Sequence, residues 1–184
     1  MPPINTPVCN FGEKAKNFTL QSTENKKISL ENVSGKNGTL IMFICNHCPY
    51  VKAIIKDIVS DVELFQSLNI KTAAIMSNDV KNYPDDSFEN MISFSKLNKF
   101  SFPYLIDSTQ EVAKNYGAVC TPDFFGYNAN HELQYRGRIR ELKNLKAVRS
   151  GNSELRNAME LIAKTGKGPT NQIPSMGCSI KWLK

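Results

Sequence analysis

Several features that define other classes of protein are scarce or absent in this chain of 184 residues. It has two histidines, which lack the spacing of a structural zinc site, and it has no second Cys-x-x-Cys pair. No run of about 18 apolar residues occurs, so we expect no membrane span. A glycine-rich phosphate loop and a Ser–His–Asp arrangement are also missing. These absences argue against zinc modules, membrane proteins, nucleotide-binding enzymes and serine hydrolases.

The charge pattern gives no sign of a nucleic-acid partner. The net charge is +6, but lysine and arginine are scattered among acidic residues, and no basic run is interleaved with aromatics. Residues 1–6 have neither a basic segment nor an apolar core, so we expect no secretory signal and a cytoplasmic location. We also expect no cofactor.

Cysteine is the residue type that carries chemical information here. There are five, and only one pair is close in sequence: Cys9, Cys45, Cys48, Cys120 and Cys178. An odd count with one close pair does not resemble a disulfide-stapled secreted scaffold. It favours a protein of a reducing compartment that uses thiols for chemistry.

Hydrophobic periodicity predicts an α/β fold with a mixed sheet. Residues 1–168 are expected to form one domain, and residues 169–184 an irregular tail that packs on it. The predicted elements alternate along the chain: a hairpin at 18–33, strands at 39–44 and 70–77, a strand at 104–106, helices at 49–65, 88–97 and 110–116, a hairpin at 123–139 and a last helix at 153–164.

The Cys45-Asn46-His47-Cys48 segment lies between a buried strand and an amphipathic helix. A helix N-terminus carries partial positive charge and free N–H groups, which should lower a thiol pKa below the ~8.5 of free cysteine. We therefore expect Cys45 to be an exposed nucleophile and Cys48 the resolving thiol. Pro49 suits the first helical turn, and a cationic His47 would stabilise the Cys45 thiolate. The pattern predicts reversible thiol–disulfide chemistry.

At this point the chain resembles the thioredoxin-like superfamily. The resemblance rests on residues 43–49 and on residues 116–122, where Thr121-Pro122 is similar to the superfamily's cis-proline motif beside the dithiol. It implies a thioredoxin-like fold, with Thr121 and Pro122 binding a substrate strand. The N-terminal hairpin is similar to the redoxin branch, which includes peroxiredoxin (AhpC/TSA) and TlpA-type proteins. The ending 177–182 resembles that of a small peroxiredoxin-like group.

The sequence also departs from both branches. Peroxiredoxins carry Pro-x-x-x-Thr-x-x-Cys, and the residues before Cys45 include neither that proline nor that threonine. Thioredoxins have Trp before the first cysteine and a carboxylate six residues earlier, where this chain has Ile44 and Thr39. Proton transfer to or from Cys48 is therefore expected to use water or His47.

Three readings of the function stay open. The first is a thiol–disulfide oxidoreductase acting on a protein or small-molecule disulfide and recycled by a thiol reductant. The second is an antioxidant thiol peroxidase using Cys45. The third is a carrier of a soft metal such as copper, bound by Cys45, Cys48, His47 and Cys120. Cys120 and Cys178 are candidates for additional redox thiols or for packing residues. Cys9 and His131 receive no role.

Overall fold

The computed structural model describes residues 2–184. Its strands are short except for two in the centre: β1 Ile4–Asn5, β2 Thr19–Ser22, β3 Lys27–Ser29, β4 Gly38–Phe43, β5 Ile70–Met76, β6 Tyr104–Ile106, β7 Cys120–Thr121, β8 Asp123–Tyr127, β9 Leu133–Tyr135, β10 Leu142–Lys143, β11 Lys146–Ala147 and β12 Met176–Ser179. Four α-helices alternate with them: α1 Pro49–Ser67, α2 Phe88–Leu97, α3 Glu111–Tyr116 and α4 Glu154–Thr165.

A seven-stranded sheet in the order β3-β2-β6-β5-β4-β8-β9 forms the centre of the fold. Strand β5 runs parallel to β4 and to β6. The other pairings in this sheet, β3–β2, β2–β6, β4–β8 and β8–β9, are antiparallel. The mixed sheet flanked by helices is confirmed, as is the N-terminal hairpin, which extends one edge of the sheet. Strands β10 and β11 form a separate small hairpin that the sequence pattern did not predict.

The continuous apolar run in β4 is explained by helices on both faces of the sheet, since all six residues of this strand are buried. Leu40 and Met42 face a core shared with α1 and α4, whereas Ile41 and Phe43 face a second core closed by α3. This alternation follows from the period of two along a strand. The two cores fix the carboxyl end of β4, where the dithiol begins.

Helix α1 buries an apolar stripe against the first core. Its buried apolar residues are Val51, Ile54, Ile55, Ile58, Val62 and Phe65, at helical spacings of three and four. Burying each such side chain contributes about 1.5–3 kcal/mol. Pro49 is the first helical residue, as expected. Among the described residues, no helix is both long enough and apolar enough to cross a membrane.

The C-terminal segment is not irregular throughout, which corrects the sequence-based expectation. It contains β12, which lies between β1 and β7 in a three-stranded antiparallel sheet. The strand is only four residues long and contains Gly177, so its sequence gives no strand pattern. Its pairing partners come from distant parts of the chain, and they impose the extended conformation.

Candidate active site

The four-residue segment that carries the dithiol links the carboxyl end of β4 to the start of α1. Cys48 is the N-cap residue of α1, with extended backbone angles, and Pro49 follows as the first helical residue. Both thiols are covered: Cys45 is 1% exposed and Cys48 is 0% exposed. The expectation that Cys45 is exposed is therefore wrong. The nearest opening to solvent is at His47, whose side chain is 25% exposed.

Thr121 and Pro122 lie against the two sulfurs. The peptide bond between them is cis, as the resemblance implies. The Cys45 Sγ is 3.4 Å from the Thr121 Oγ1, and the Cys48 Sγ is 3.1 Å from the Thr121 carbonyl oxygen. The structure thus brings together the dithiol and the cis-proline motif, which are more than 70 residues apart in sequence.

Neighbouring groups shift the pKa values of the two thiols in opposite directions. A hydrogen bond from the Cys45 thiol is the main cause that lowers the Cys48 pKa, to about 5, with help from Thr121 and from the Val51 backbone N–H in the first turn of α1. That hydrogen bond with Cys48, burial and the Asp86 carboxylate raise the Cys45 pKa well above its usual value. The expected lowering therefore occurs at Cys48 and not at Cys45.

A buried carboxylate, Asp86, lies beside the dithiol and was missed from the sequence. It is 0% exposed and accepts hydrogen bonds from the His47 Nδ1 at 2.7 Å, the Asn46 backbone N–H at 2.8 Å and the Asn78 side-chain amide at 2.8 Å. Burial would raise the Asp86 pKa, but these donors outweigh burial and lower it. In turn, the hydrogen bond to Asp86 raises the His47 pKa, against a smaller opposing effect of burial.

The raised pKa favours the cationic form of His47. Its Nδ1 lies 4.0 Å from the Cys45 Sγ, so an imidazolium at this place would be close enough to stabilise a thiolate there. The Tyr104 hydroxyl donates to the Asn46 Oδ1 at 2.9 Å and so helps to hold the loop that carries the dithiol. One signal could have located Asp86: it lies in the segment that follows β5, and the carboxyl ends of the parallel strands β4 and β5 meet at one edge.

Of the remaining cysteines, Cys178 lies beside the dithiol, whereas Cys120 and Cys9 are packing residues. Cys178 is on β12, directly opposite Thr121, whose carbonyl oxygen lies 3.1 Å from the Cys48 sulfur. Burial, followed by the neighbouring Cys48, raises the Cys178 pKa to about 11. Cys120 is fully buried, its thiol facing the Pro122 carbonyl oxygen at 3.7 Å, and burial raises its pKa strongly. Cys9 is half-buried, and burial raises its pKa to about 11.

Three potential metal ligands converge at the site: the Cys45 Sγ, a His47 ring nitrogen and an Asp86 oxygen lie within 4.8 Å of one another. This set differs from the copper set suggested by the sequence, because Asp86 joins it while Cys48 and Cys120 do not. The short His47–Asp86 hydrogen bond already uses two of these groups.

A mixed sheet flanked by helices, with a dithiol at a helix N-terminus opposite a cis-proline, defines a thioredoxin-like protein of the redoxin type. The chain belongs to the AhpC/TSA family, whose model matches residues 11–142. No curated protein sequence matches the chain significantly.

Two solved structures are similar over the whole chain. An uncharacterized conserved protein from Geobacillus kaustophilus is 37% identical with a TM-score of 0.94, covering 100% of this chain and 97% of its own. A hypothetical protein from Sinorhizobium meliloti 1021 is 30% identical with a TM-score of 0.89, covering 100% and 99%. A secreted disulfide oxidoreductase from Mycobacterium tuberculosis, homologous to DsbE of E. coli, shares the fold at 14% identity and a TM-score of 0.56, covering 68% and 87%.

Proposed function

We propose that this protein is a thiol–disulfide oxidoreductase that uses the Cys45–Cys48 dithiol. The observation that carries the proposal is the position of the two sulfurs at the N-terminus of α1, both in contact with Thr121, which precedes cis-Pro122. A dithiol in this position is pre-arranged to form a disulfide, and its thiolate is stabilised without a metal or cofactor.

In the first step Cys45 attacks the substrate disulfide. Its proton passes along the existing hydrogen bond to the Cys48 thiolate as the bond to the substrate sulfur forms. The other substrate sulfur leaves as a thiolate. We assign the attack to Cys45 because this sulfur lies beside the partly exposed His47, whereas Cys48 lies next to Thr121, which β12 covers. The His47 imidazolium stabilises negative charge on the Cys45 sulfur during the attack.

In the second step Cys48 gives its proton to the substrate thiolate that left in the first step, and the Cys48 sulfur then attacks the Cys45 sulfur. The second substrate thiolate is released, and the Cys45–Cys48 disulfide remains. Two electrons pass from the dithiol to the substrate, which is reduced to two thiols. A thiol reductant must then return the enzyme to the dithiol form. We place this cycle in the cytoplasm, in keeping with the odd cysteine count.

A mostly apolar depression next to the cis-proline offers a binding place for the substrate. Its lining includes Tyr50, Pro122, Ile139, Leu142 and Met176. Tyr50 belongs to the first turn of α1, so the depression adjoins the dithiol loop. This arrangement suits a disulfide whose apolar flanks bind while its sulfurs approach Cys45.

The test is to map disulfides by mass spectrometry after oxidation with one equivalent of oxidised glutathione. We expect wild type to form a Cys45–Cys48 bond that dithiothreitol reduces. Cys48→Ser should accumulate a glutathione adduct on Cys45, and Cys120→Ser should behave as wild type. Absence of both the bond in wild type and the adduct on Cys45 in Cys48→Ser would refute the proposal.

Membership of the AhpC/TSA family supports a second candidate, a thiol peroxidase. In that reaction the Cys45 thiolate takes one oxygen from a peroxide, giving a sulfenic acid and an alcohol or water, and Cys48 then condenses with it and releases water. The Thr121 hydroxyl, 3.4 Å from the Cys45 sulfur, is a polar group near the reacting position. Stopped-flow consumption of hydrogen peroxide much faster than that of oxidised glutathione would favour this candidate.

A further inference from the structure

The chain's own C-terminal strand occupies the edge at which the family resemblance places a substrate strand. β12 pairs antiparallel with β7, with Cys178 opposite Thr121, the residue before cis-Pro122. Cys178 is therefore located where a bound polypeptide would present a cysteine to the dithiol. Thr121 connects the two residues, since Cys178 pairs with Thr121 across the sheet and the Thr121 carbonyl oxygen lies 3.1 Å from the Cys48 sulfur.

Hydrogen bonds on both sides hold this strand in place. Before it, the Ser175 hydroxyl donates to the Pro122 carbonyl oxygen at 2.8 Å, and Ser175 and Thr6 exchange two further hydrogen bonds. After it, the Ile180 N–H donates to the Val119 carbonyl oxygen at 3.0 Å. Cys178 is thus held beside Cys48 by its register in a sheet.

The following residue, Lys181, links the strand to the dithiol site from the other side. Its N–H donates to the Asn78 side-chain oxygen at 2.9 Å, while the amide nitrogen of Asn78 donates to Asp86. The Gln110 side chain donates to the Lys181 carbonyl oxygen at 2.8 Å and accepts from the Leu183 N–H at 2.8 Å. The C-terminal segment from Ser175 to Leu183 is therefore hydrogen-bonded to the elements that surround the dithiol.

We propose that Cys178 is a third redox thiol, which exchanges with the Cys45–Cys48 disulfide to form a Cys48–Cys178 disulfide. The Cys178 sulfur attacks the Cys48 sulfur, the Cys45–Cys48 bond breaks, and Cys45 leaves with the electron pair. The Cys178 proton is transferred to Cys45. No electrons enter or leave, so no further oxidant is needed. The result is an oxidised enzyme in which Cys45 is again a free thiol.

The inference rests on the proposed function, and Cys48 is its common partner. Cys48 is three residues from Cys45, and its sulfur lies 3.1 Å from the carbonyl oxygen of Thr121, the residue that pairs with Cys178. Either bond therefore forms with a short movement. The exchange would let a second substrate or reductant react at Cys45 before the enzyme returns to the dithiol.

The decisive experiment uses Cys45→Ser, in which the Cys45–Cys48 bond cannot form. After oxidation with one equivalent of oxidised glutathione, we expect mass spectrometry to show a Cys48–Cys178 disulfide. In Cys45→Ser/Cys178→Ser, Cys48 should instead stay glutathionylated. Glutathionylated Cys48 with a free Cys178 thiol in Cys45→Ser would overturn the proposal, even where wild type forms the Cys45–Cys48 bond normally. Loss of the wild-type bond alone would instead count against the proposed function.

A second variant, made in the Cys45→Ser background, tests whether the strand register delivers Cys178. A Cβ at Gly177 would lie 1.9 Å from the Thr121 carbonyl oxygen, a backbone atom that cannot move aside. Gly177→Ala should therefore shift β12 and reduce the yield of the Cys48–Cys178 disulfide at least severalfold. Ile4→Ala, on the neighbouring strand β1 opposite Gly177 and with an exposed side chain, is the matched control and should leave the yield unchanged. An unchanged yield in Gly177→Ala would contradict the role of the register.

Discussion

Cys48 and Cys120 both lie beside the cis-proline motif, and both are fully buried, yet their thiol pKa values shift in opposite directions. The Cys48 pKa is lowered to about 5 because Cys45, Thr121 and backbone N–H groups donate to its sulfur. Burial, followed by the Asp123 carboxylate, raises the Cys120 pKa.

The difference shows that burial alone does not decide whether a cysteine is reactive. Desolvation disfavours a thiolate at both positions, so hydrogen-bond donors directed at the sulfur make the distinction. Those donors exist at Cys48 because it begins a helix, whose first N–H groups have no partners within the helix. Cys120 lies in β7, where backbone N–H and C=O groups form hydrogen bonds with the neighbouring strand β12.

Removing each sulfur in turn is the strongest test of this comparison. Cys48→Ser should lower the rate of glutathione-disulfide reduction by at least about a hundredfold, since an intramolecular step is replaced by a bimolecular one. Cys120→Ser should stay within about twofold of wild type, since no donor activates Cys120. A coupled assay of disulfide reduction measures both rates. Equal losses in the two variants would contradict the distinction.

Asp86→Asn tests the electrostatic support of the reactive side. Loss of the charge should lower the His47 pKa toward 6.5 and remove about 2 kcal/mol of stability, because a hydrogen bond to a charged group is lost. NMR titration of His47 and urea unfolding measure the two effects. Asn82→Ala, in the same loop but away from Asp86, is a control that should keep the His47 pKa at its wild-type value.

The same pair gives stability a defined pH dependence. Because the His47 pKa is raised in the folded protein, the contribution of His47 to stability is full below about pH 6.5. This contribution is lost as the pH rises through the pKa of His47 in the folded state. The lowered Asp86 pKa means that its contribution is present above about 3.8 and is lost as pH falls through the folded-state value. Wild type minus Asp86→Asn stability should therefore be largest between these pH values. A difference that grows above pH 8 would contradict this assignment.

Cys120→Ser also measures how much the buried Cys120 side chain contributes to the stability of the fold. A hydroxyl replaces a weakly polar sulfur at a fully buried position, so we expect a loss of about 1–2 kcal/mol in the free energy of unfolding. Cys9→Ser, at a half-buried position, should lose less. Urea denaturation of the two variants checks the order. A larger loss at Cys9 would show that local packing outweighs burial here.

The smallest effect is expected from Tyr104→Phe, which removes the hydroxyl that donates to Asn46. The Asn46 side-chain oxygen then loses this partner, at a cost of about 1 kcal/mol. Because the hydrogen bonds to Cys48 stay, the reduction potential measured against glutathione should change little. A large shift in potential would show that the loop position, and not only the donors, sets the reactivity of Cys48.

Local patterns were sufficient for the dithiol but not for its surroundings. The apolar run of β4 followed by the amphipathic stripe of α1 placed Cys45–Cys48 correctly, since both signals are continuous in sequence. The position of Asp86 after β5 indicates which edge of the sheet it lies near, but its burial could not be predicted, because a carboxylate in a polar loop is usually solvated and this burial depends on the packing of β5 and α2. The same holds for β12, whose pairing with β1 and β7 joins residues more than 50 positions apart.

The pairing of β12 on both sides has a consequence for how copies of this protein interact. Without that strand, the N–H and C=O groups of β1 and β7 would form open strand edges beside an apolar core. Such edges pair readily with other chains, so a molecule shortened before Met176 should self-associate at concentrations where the full chain stays dispersed. The strand that covers the thiols would then also serve to keep each molecule separate from its neighbours.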